Sequence, residues 1–250
     1  MEQKVNIGQD RTDLAVVIAK GVFGALPYIG SAVAEIVGTI IPNQRIDRIA
    51  EFLEILDVKV RSIEADVLKT KMQTQEFIDL FEDGMRQASR ALTRERKEYI
   101  ASLLKNSLSR DDSSYIHQKR ILAILDELND AEIIILQSYY FSVGDESRAF
   151  WEQHKDVLQP PFIVTGSSQE EINRAAVYKT YREHLRRLGL IQTQFKKPRS
   201  GELPEFDFQT GMIKTRYSRV TNLGRLLISC IDLDQDDSGA SRVADPSATC

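Results

Sequence analysis

The chain contains few of the residues that build metal centres and disulfide frameworks. Its 250 residues include two cysteines, Cys230 and Cys250, and three histidines, His117, His154 and His184. Two cysteines provide neither a disulfide framework nor a metal-ligand spacing, which favours a reducing compartment. Because the histidines fall on three separate predicted helices, we interpret them as surface or cap residues and predict no metal and no other cofactor.

Motifs for catalysis are lacking as well. Gly21 and Gly24 lie within an apolar helical pattern, and the basic residue of a phosphate-binding loop does not follow them. Spacing alone groups no serine, histidine and aspartate into a triad. We therefore predict that the chain is not an enzyme.

Long uncharged stretches are scarce, with one exception. Residues 14–41 carry only two charges, Lys20 and Glu35, and Pro27 interrupts them. Since proline breaks a helix, we predict two short helices, 12–24 and 29–41. Each is shorter than the roughly 20 apolar residues that span a bilayer. The candidate residues for membrane contact or self-association surround the break: Val22, Phe23, Leu26, Pro27, Tyr28 and Ile29.

Three interpretations of this segment remain open. The first is a helical hairpin buried in a soluble bundle. The second is a hairpin that inserts into a membrane or rests on it, since small residues at helical spacing let helices approach closely. The third is a cleaved secretory signal, because Ala32 and Ala34 resemble a cleavage site, although the leader before residue 14 is not basic.

Apolar residues at alternating steps of three and four predict one long helix after Pro42. They are Ile46, Ile49, Leu53, Leu56, Val60, Ile63 and Val67. This heptad pattern fits a helix that pairs within its own chain or forms a coiled coil in a homo-oligomer. Thr74 and Thr93 are predicted caps of further helices. We therefore predict an apolar hairpin with a polar leader over 1–42 and a helical bundle over 43–128.

The chain from residue 129 mixes helices with short strands. Asn129 and Glu132 fit a capping box, and Ser167 or Ser168 is the predicted cap of a helix that ends before Gly189. The predicted strands cover 162–164, a start at 190–191, and 214–220, with a last helix over 223–231. Residues 233–250 are acidic and rich in small residues, which predicts a disordered tail.

Charge is distributed unevenly along the chain. Residues 172–225 contain twelve Lys and Arg and four Asp and Glu, a net charge of +8, whereas the whole chain has −4. The remainder therefore carries −12. A basic module on an acidic body suggests an anionic partner for the module, or a contact between the two parts.

Two sequence segments resemble prokaryotic winged-helix domains. They are Leu-Arg-Arg-Leu-Gly-Leu-Ile (185–191) and Arg-Val-Thr-Asn-Leu-Gly-Arg-Leu-Leu (219–227). The resemblance implies a winged-helix-like α+β domain over 129–232, in which the helix before the glycine is a recognition helix and the hairpin tip is a wing. The residues predicted to contact nucleic acid or an acidic protein partner are Lys179, Arg182, Arg186, Lys196, Lys197 and Arg199. Acidic residues in the same wing, Glu202, Glu205 and Asp207, would repel phosphate.

A second resemblance covers the helical body. Segments 29–38, 98–106 and 124–130 are similar to the Abi-alpha group of bacterial abortive-infection proteins. This resemblance implies a bacterial cytoplasmic protein, peripheral to the inner membrane in one reading, that acts in defence against phage. The expected fold is mostly α. The two predicted functions are a non-enzymatic regulatory or defence protein with a releasable apolar hairpin, and a nucleic-acid-binding regulator with a helical dimerisation region.

Overall fold

The computed structural model describes residues 45–109, 115–141, 145–198, 201–206, 211 and 213–234. The predictions for the 1–42 hairpin, its six candidate residues, Arg199 and the tail from residue 235 therefore lie outside the described residues. Within those residues the protein is mostly helical and has one two-stranded antiparallel sheet, as the coarse sequence prediction states.

Helices dominate the order of elements along the described chain. They are α1 (Ile46–Val60), α2 (Ala65–Met72), α3 (Gln75–Arg90), α4 (Arg94–Ser109), α5 (Tyr115–Glu127), α6 (Asp130–Tyr140), α7 (Asp145–Gln153), α8 (Lys155–Leu158) and α9 (Gln169–Arg187), followed by strands β1 (Ile191–Phe195) and β2 (Thr215–Val220) and by α10 (Asn222–Cys230).

Local capping predictions agree with the structure. The Thr74 hydroxyl accepts a hydrogen bond from the Phe77 amide at 3.3 Å, and Thr93 does the same for Arg96. Capping boxes are present at the starts of α6 and α9, where Asn129 and Ser168 are the caps. Each cap satisfies amide groups that the helix itself leaves without an acceptor, which is why a few adjacent residues determine it.

The predicted heptad helix is not continuous. Helix α1 ends at Val60 and α2 begins at Ala65. In the turn between them the Ser62 hydroxyl donates to the Lys59 carbonyl at 3.2 Å, a local bond that competes with helix continuation. The turn directs α2 against α3 and α4, and it buries Leu68. In α1 the seam residues Ile49, Leu53, Leu56 and Val60 are buried, and the helix packs against α3 and α4 of the same chain.

The predicted strand at residues 162–164 is absent from the structure. Phe162, Ile163 and Val164 are exposed and have no strand assignment. The Val164 amide instead donates to the Ser167 hydroxyl at 3.1 Å in a turn that leads into α9. An apolar run alone does not form a strand when no neighbouring strand supplies hydrogen bonds.

Buried side chains form one continuous apolar cluster from Ile49 to Ile231. Helix α10 joins the cluster by packing on α4, α5 and α6. The Asn106 amide donates to the Cys230 carbonyl at 2.9 Å and to the Asp232 carboxylate at 2.7 Å, which ties the end of α10 to α4. Helix α10 thereby anchors the C-terminal end of the helix–hairpin segment, which we define as residues 169–220, to the other helices.

The turn between α9 and β1 positions the sheet. Gly189 has a φ of 74°, a left-handed conformation that costs glycine nothing, and it ends α9. Gly224 lies against this turn, because a Cβ there would sit 2.4 Å from the Leu190 carbonyl oxygen. The Thr221 hydroxyl donates to the Gly189 carbonyl at 2.6 Å. These contacts hold the base of the β1–β2 hairpin beside the C-terminal end of α9.

Candidate functional site

Helix α9 presents an exposed cationic face. Only Leu185 of this helix is fully buried, and Lys179, Arg186 and Arg187 are exposed. Arg182 is placed differently from the other predicted residues, since its guanidinium lies over the Tyr139 ring at 5.8 Å and is partly buried. The sequence-based candidates omitted Arg187, which takes an exposed position like those of Lys179 and Arg186.

One acidic residue reduces the charge of this face. The Glu183 carboxylate accepts two hydrogen bonds from the Arg186 guanidinium, at 2.7 and 2.8 Å. Lys179 and Arg187 form no ion pair with any residue that the structure describes. Arg174, near the start of α9, is likewise exposed and has no ion pair with a described residue.

The hairpin brings a second set of cations together. Ile191 pairs with Val220 and Gln194 with Tyr217, and a bulge follows between Gln194 and Phe195. Beyond the bulge the Lys196 amide donates to the Lys214 carbonyl at 3.2 Å. An open groove of about 740 Å³ results, and four cationic residues are among those that line it: Lys196, Lys197, Lys214 and Arg216. We call this the hairpin groove.

Two of these cations were not among the sequence-based candidates. Lys214 and Arg216 belong to the basic span, but they are 17 or more residues from Lys197. Their proximity depends on the pairing register of β1 and β2, since a shift by one residue would turn every side chain to the other face. The motif that predicted the hairpin carries no signal for that register.

An acidic side chain bridges part of the groove. Glu205 forms ion pairs with Lys196 and, at 3.7 Å, with Lys214. The hydrogen bond from Lys196 is the main cause of the lowered pKa of Glu205. Glu205 is thus a carboxylate partner for two cations, whereas the sequence reading treated it as a repulsive charge. Glu202 is exposed, and Asp207 lies outside the described residues.

Aromatic rings share the hairpin groove with the cations. Phe195 is 52% exposed and Tyr217 is 51% exposed, and both line the groove. The guanidinium of Arg216 lies 5.7 Å from the centre of the Tyr217 ring, within the range of a cation–π contact. Large exposed aromatic side chains beside positive charge are a binding surface for ligands that combine flat rings with anionic groups.

A histidine–carboxylate pair connects α9 to α6. The Nδ1 atom of His184 lies 2.7 Å from a carboxylate oxygen of buried Glu132. The other Glu132 oxygen accepts from the Asn129 amide at 2.9 Å, as part of the capping box. Since an ionised carboxylate only accepts hydrogen bonds, Nδ1 of His184 is the donor in the tautomer that satisfies this contact. This partly buried tether differs from the surface or cap position predicted for His184.

Beside the tether lies a second groove of about 790 Å³, lined by His184, Lys179 and Arg187 together with Glu127 and Glu183. Its charges are of both signs, in contrast to the hairpin groove. No feature of the sequence links Glu132 to His184, because the two residues are 52 positions apart.

In the described part of the chain, no helix combines the length and the apolar character needed to cross a membrane. Comparison of this chain with models of protein families, with curated proteins and with solved structures found no match.

Proposed function

We propose that this chain is a regulatory protein without enzymatic activity whose helix–hairpin segment binds nucleic acid through the phosphate backbone. The observation that supports the proposal is the convergence of Lys196, Lys197, Lys214 and Arg216 on one groove. Phosphate contacts by lysine and arginine supply most of the affinity of such complexes. A winged-helix interpretation fits this proposal, with α9 as the recognition helix and the β1–β2 hairpin as the wing.

Charge in the groove favours an anionic ligand. Glu205 neutralises one of the four positive charges, and Lys197 and Arg216 form no ion pair with a described residue. About three positive charges are therefore available to phosphate. Lys179 and Arg187 add a second cationic element on α9, and this helix ends next to the base of the same hairpin.

Salt dependence of binding tests this function directly. The full chain is titrated against a fluorescein-labelled 20-nucleotide DNA, single-stranded or duplex, and anisotropy is recorded between 50 and 200 mM NaCl. We expect binding that weakens steadily as salt rises, because each neutralised phosphate releases condensed counterions. Absence of binding to both DNAs at 50 mM salt, or an affinity that salt does not change, would contradict the proposal.

A second candidate function rests on the apolar segment 14–41. In this proposal the chain is a cytoplasmic defence protein of the abortive-infection type, whose segment engages the inner membrane or a second copy of the chain. Its support is the sequence itself, which places only Lys20 and Glu35 among 28 residues, from Leu14 to Ile41. Small residues at helical spacing suit close helix packing in lipid.

Flotation with liposomes tests the second candidate. We expect the full chain to float with vesicles of bacterial polar lipids, and a variant without residues 14–41 to stay at the bottom of the gradient. A variant with Phe23→Glu and Ile29→Glu keeps the length of the chain and should also fail to float. Sedimentation velocity on the same samples measures self-association. A full chain that neither floats nor self-associates would rule this function out.

A further inference from the structure

From the composition of the hairpin groove, we infer that its ligand is a single-stranded segment of nucleic acid, whose bases stack on Tyr217 and Phe195 while its phosphates pair with the surrounding cations. The inference rests on the proposed nucleic-acid function and names the class of strand that this groove accepts. Binding to phosphates alone would need only the cations. The inference depends on the presence of aromatic rings beside them.

The two aromatic rings of the groove are exposed to an unusual degree. Tyr217 and Phe195 are each about half exposed, at 51% and 52%, although rings of this size bury readily when a core is within reach. Neighbouring residues of the same strands, Ile191 and Val220, are almost completely buried. The aromatic residues therefore lie beyond the part of the hairpin that packs on the protein core.

The residues that surround the two rings in the groove are cationic. Lys196, Lys197, Lys214 and Arg216 line the same groove as the rings. An apolar protein partner would have to remove these four cations from water, at a cost that only paired acidic groups offset. A single strand of nucleic acid matches both features, because it offers unstacked bases to the rings and one phosphate for each base. In a duplex the bases are already stacked on one another.

One acidic side chain, that of Glu205, occupies a position that a phosphate could take. Glu205 bridges Lys196 and Lys214 through its carboxylate. A phosphate has the same sign of charge and the same hydrogen-bonding character as this carboxylate, so it can take the place of Glu205 between the two lysines. The other two cations, Lys197 and Arg216, are open to a phosphate without such an exchange.

Ring substitutions that keep every charge provide the test. Full-length Tyr217→Leu and Phe195→Leu are titrated against a labelled, non-self-complementary 20-nucleotide DNA and against the same sequence as a duplex. Stacking of a base on an aromatic ring contributes to affinity, and leucine cannot replace it. Each substitution is therefore expected to weaken single-strand binding about tenfold. Duplex binding should change less than twofold. Tyr217→Trp keeps a ring and should retain single-strand binding.

Leu203→Ala is the matched control, because Leu203 is an exposed apolar residue of the same hairpin outside the groove lining. It should leave both affinities unchanged. If the leucine variants bind the single strand as tightly as the unmodified chain, the inference is overturned and the nucleic-acid function stands. If neither DNA binds the unmodified chain, the proposed function fails and the inference fails with it. If the ring variants instead abolish self-association measured by sedimentation, the groove is an interface between copies and the inference is overturned.

Discussion

Replacing the four cations of the hairpin groove with glutamine is expected to remove most of the salt dependence of nucleic-acid binding. The changes are Lys196→Gln, Lys197→Gln, Lys214→Gln and Arg216→Gln, with Glu205→Gln added so that no acidic side chain is left without its partners. If each of the four cations neutralises one phosphate, the slope of log affinity against log salt for the unmodified chain is about −2.8 with a single strand and about −3.6 with a duplex. These slopes correspond to losses of about 50-fold and about 150-fold in affinity between 50 and 200 mM salt.

The variant should lose most of this dependence, keeping only the part due to Lys179 and Arg187, and bind about 100-fold more weakly at 50 mM salt. Anisotropy titrations at four salt concentrations measure both quantities. A control that lowers the net charge by the same three units separates the groove from net charge. Its changes, all at exposed positions of the bundle, are Arg61→Gln, Arg90→Gln and Arg120→Gln. A control that weakens binding as much as the groove variant would show that the groove has no special role.

Replacing Glu51 with leucine is expected to lower the free energy of unfolding by about 3 kcal/mol. Glu51 on α1 accepts a hydrogen bond from the ammonium group of Lys97 on α4, and the Lys97 side chain is only 5% exposed. Without Glu51 the buried ammonium group loses its counter-ion and remains out of water. The value is at the lower end of the usual range because the Glu51 side chain is itself 37% exposed.

Urea denaturation followed by far-UV circular dichroism measures this effect. The double variant Glu51→Leu with Lys97→Met removes both charges, and it should recover most of the lost stability, because an apolar pair at such a site is often as stable as the ion pair. Glu98→Leu is the control, since Glu98 forms an exposed i,i+4 pair with Arg94 and should change stability by less than about 1 kcal/mol. A loss below 1 kcal/mol for Glu51→Leu would show that water reaches Lys97.

Helix starts were predictable because their determinants are adjacent in sequence. Asn129 with Glu132, and Ser168 with Glu171, satisfy the first amides of α6 and α9 within four residues. The end of α9 was predictable for the same reason, since Gly189 tolerates the left-handed conformation required there. By contrast, the apolar repeat continued past Val60 although the helix does not. Beyond the end of α1 the repeat also fails to predict burial, since Val67 is 37% exposed.

The candidate site was only half predictable. Lys196 and Lys197 follow directly from their position after β1, whereas Lys214 and Arg216 join them through strand pairing. Arg182 has the helical spacing that would place it beside Lys179 and Arg186. Its guanidinium instead lies over the Tyr139 ring of α6. Sequence spacing places a side chain on one side of a helix and carries no information about the element that packs beside it.

The amino-acid sequence by itself determined the mostly helical character, the caps, and the basic span from residue 172 to 225, since each depends on local composition and on neighbours within a few positions. Tertiary structure alone decided the pairing of His184 with Glu132, the contact of Lys97 with Glu51, and the gathering of four cations and two rings in one groove. The two pairs join residues 52 and 46 positions apart, and the groove joins residues 195–197 to residues at least 17 positions further along the chain. Packing and strand register, which minimise exposed apolar surface over the whole chain, bring such residues together.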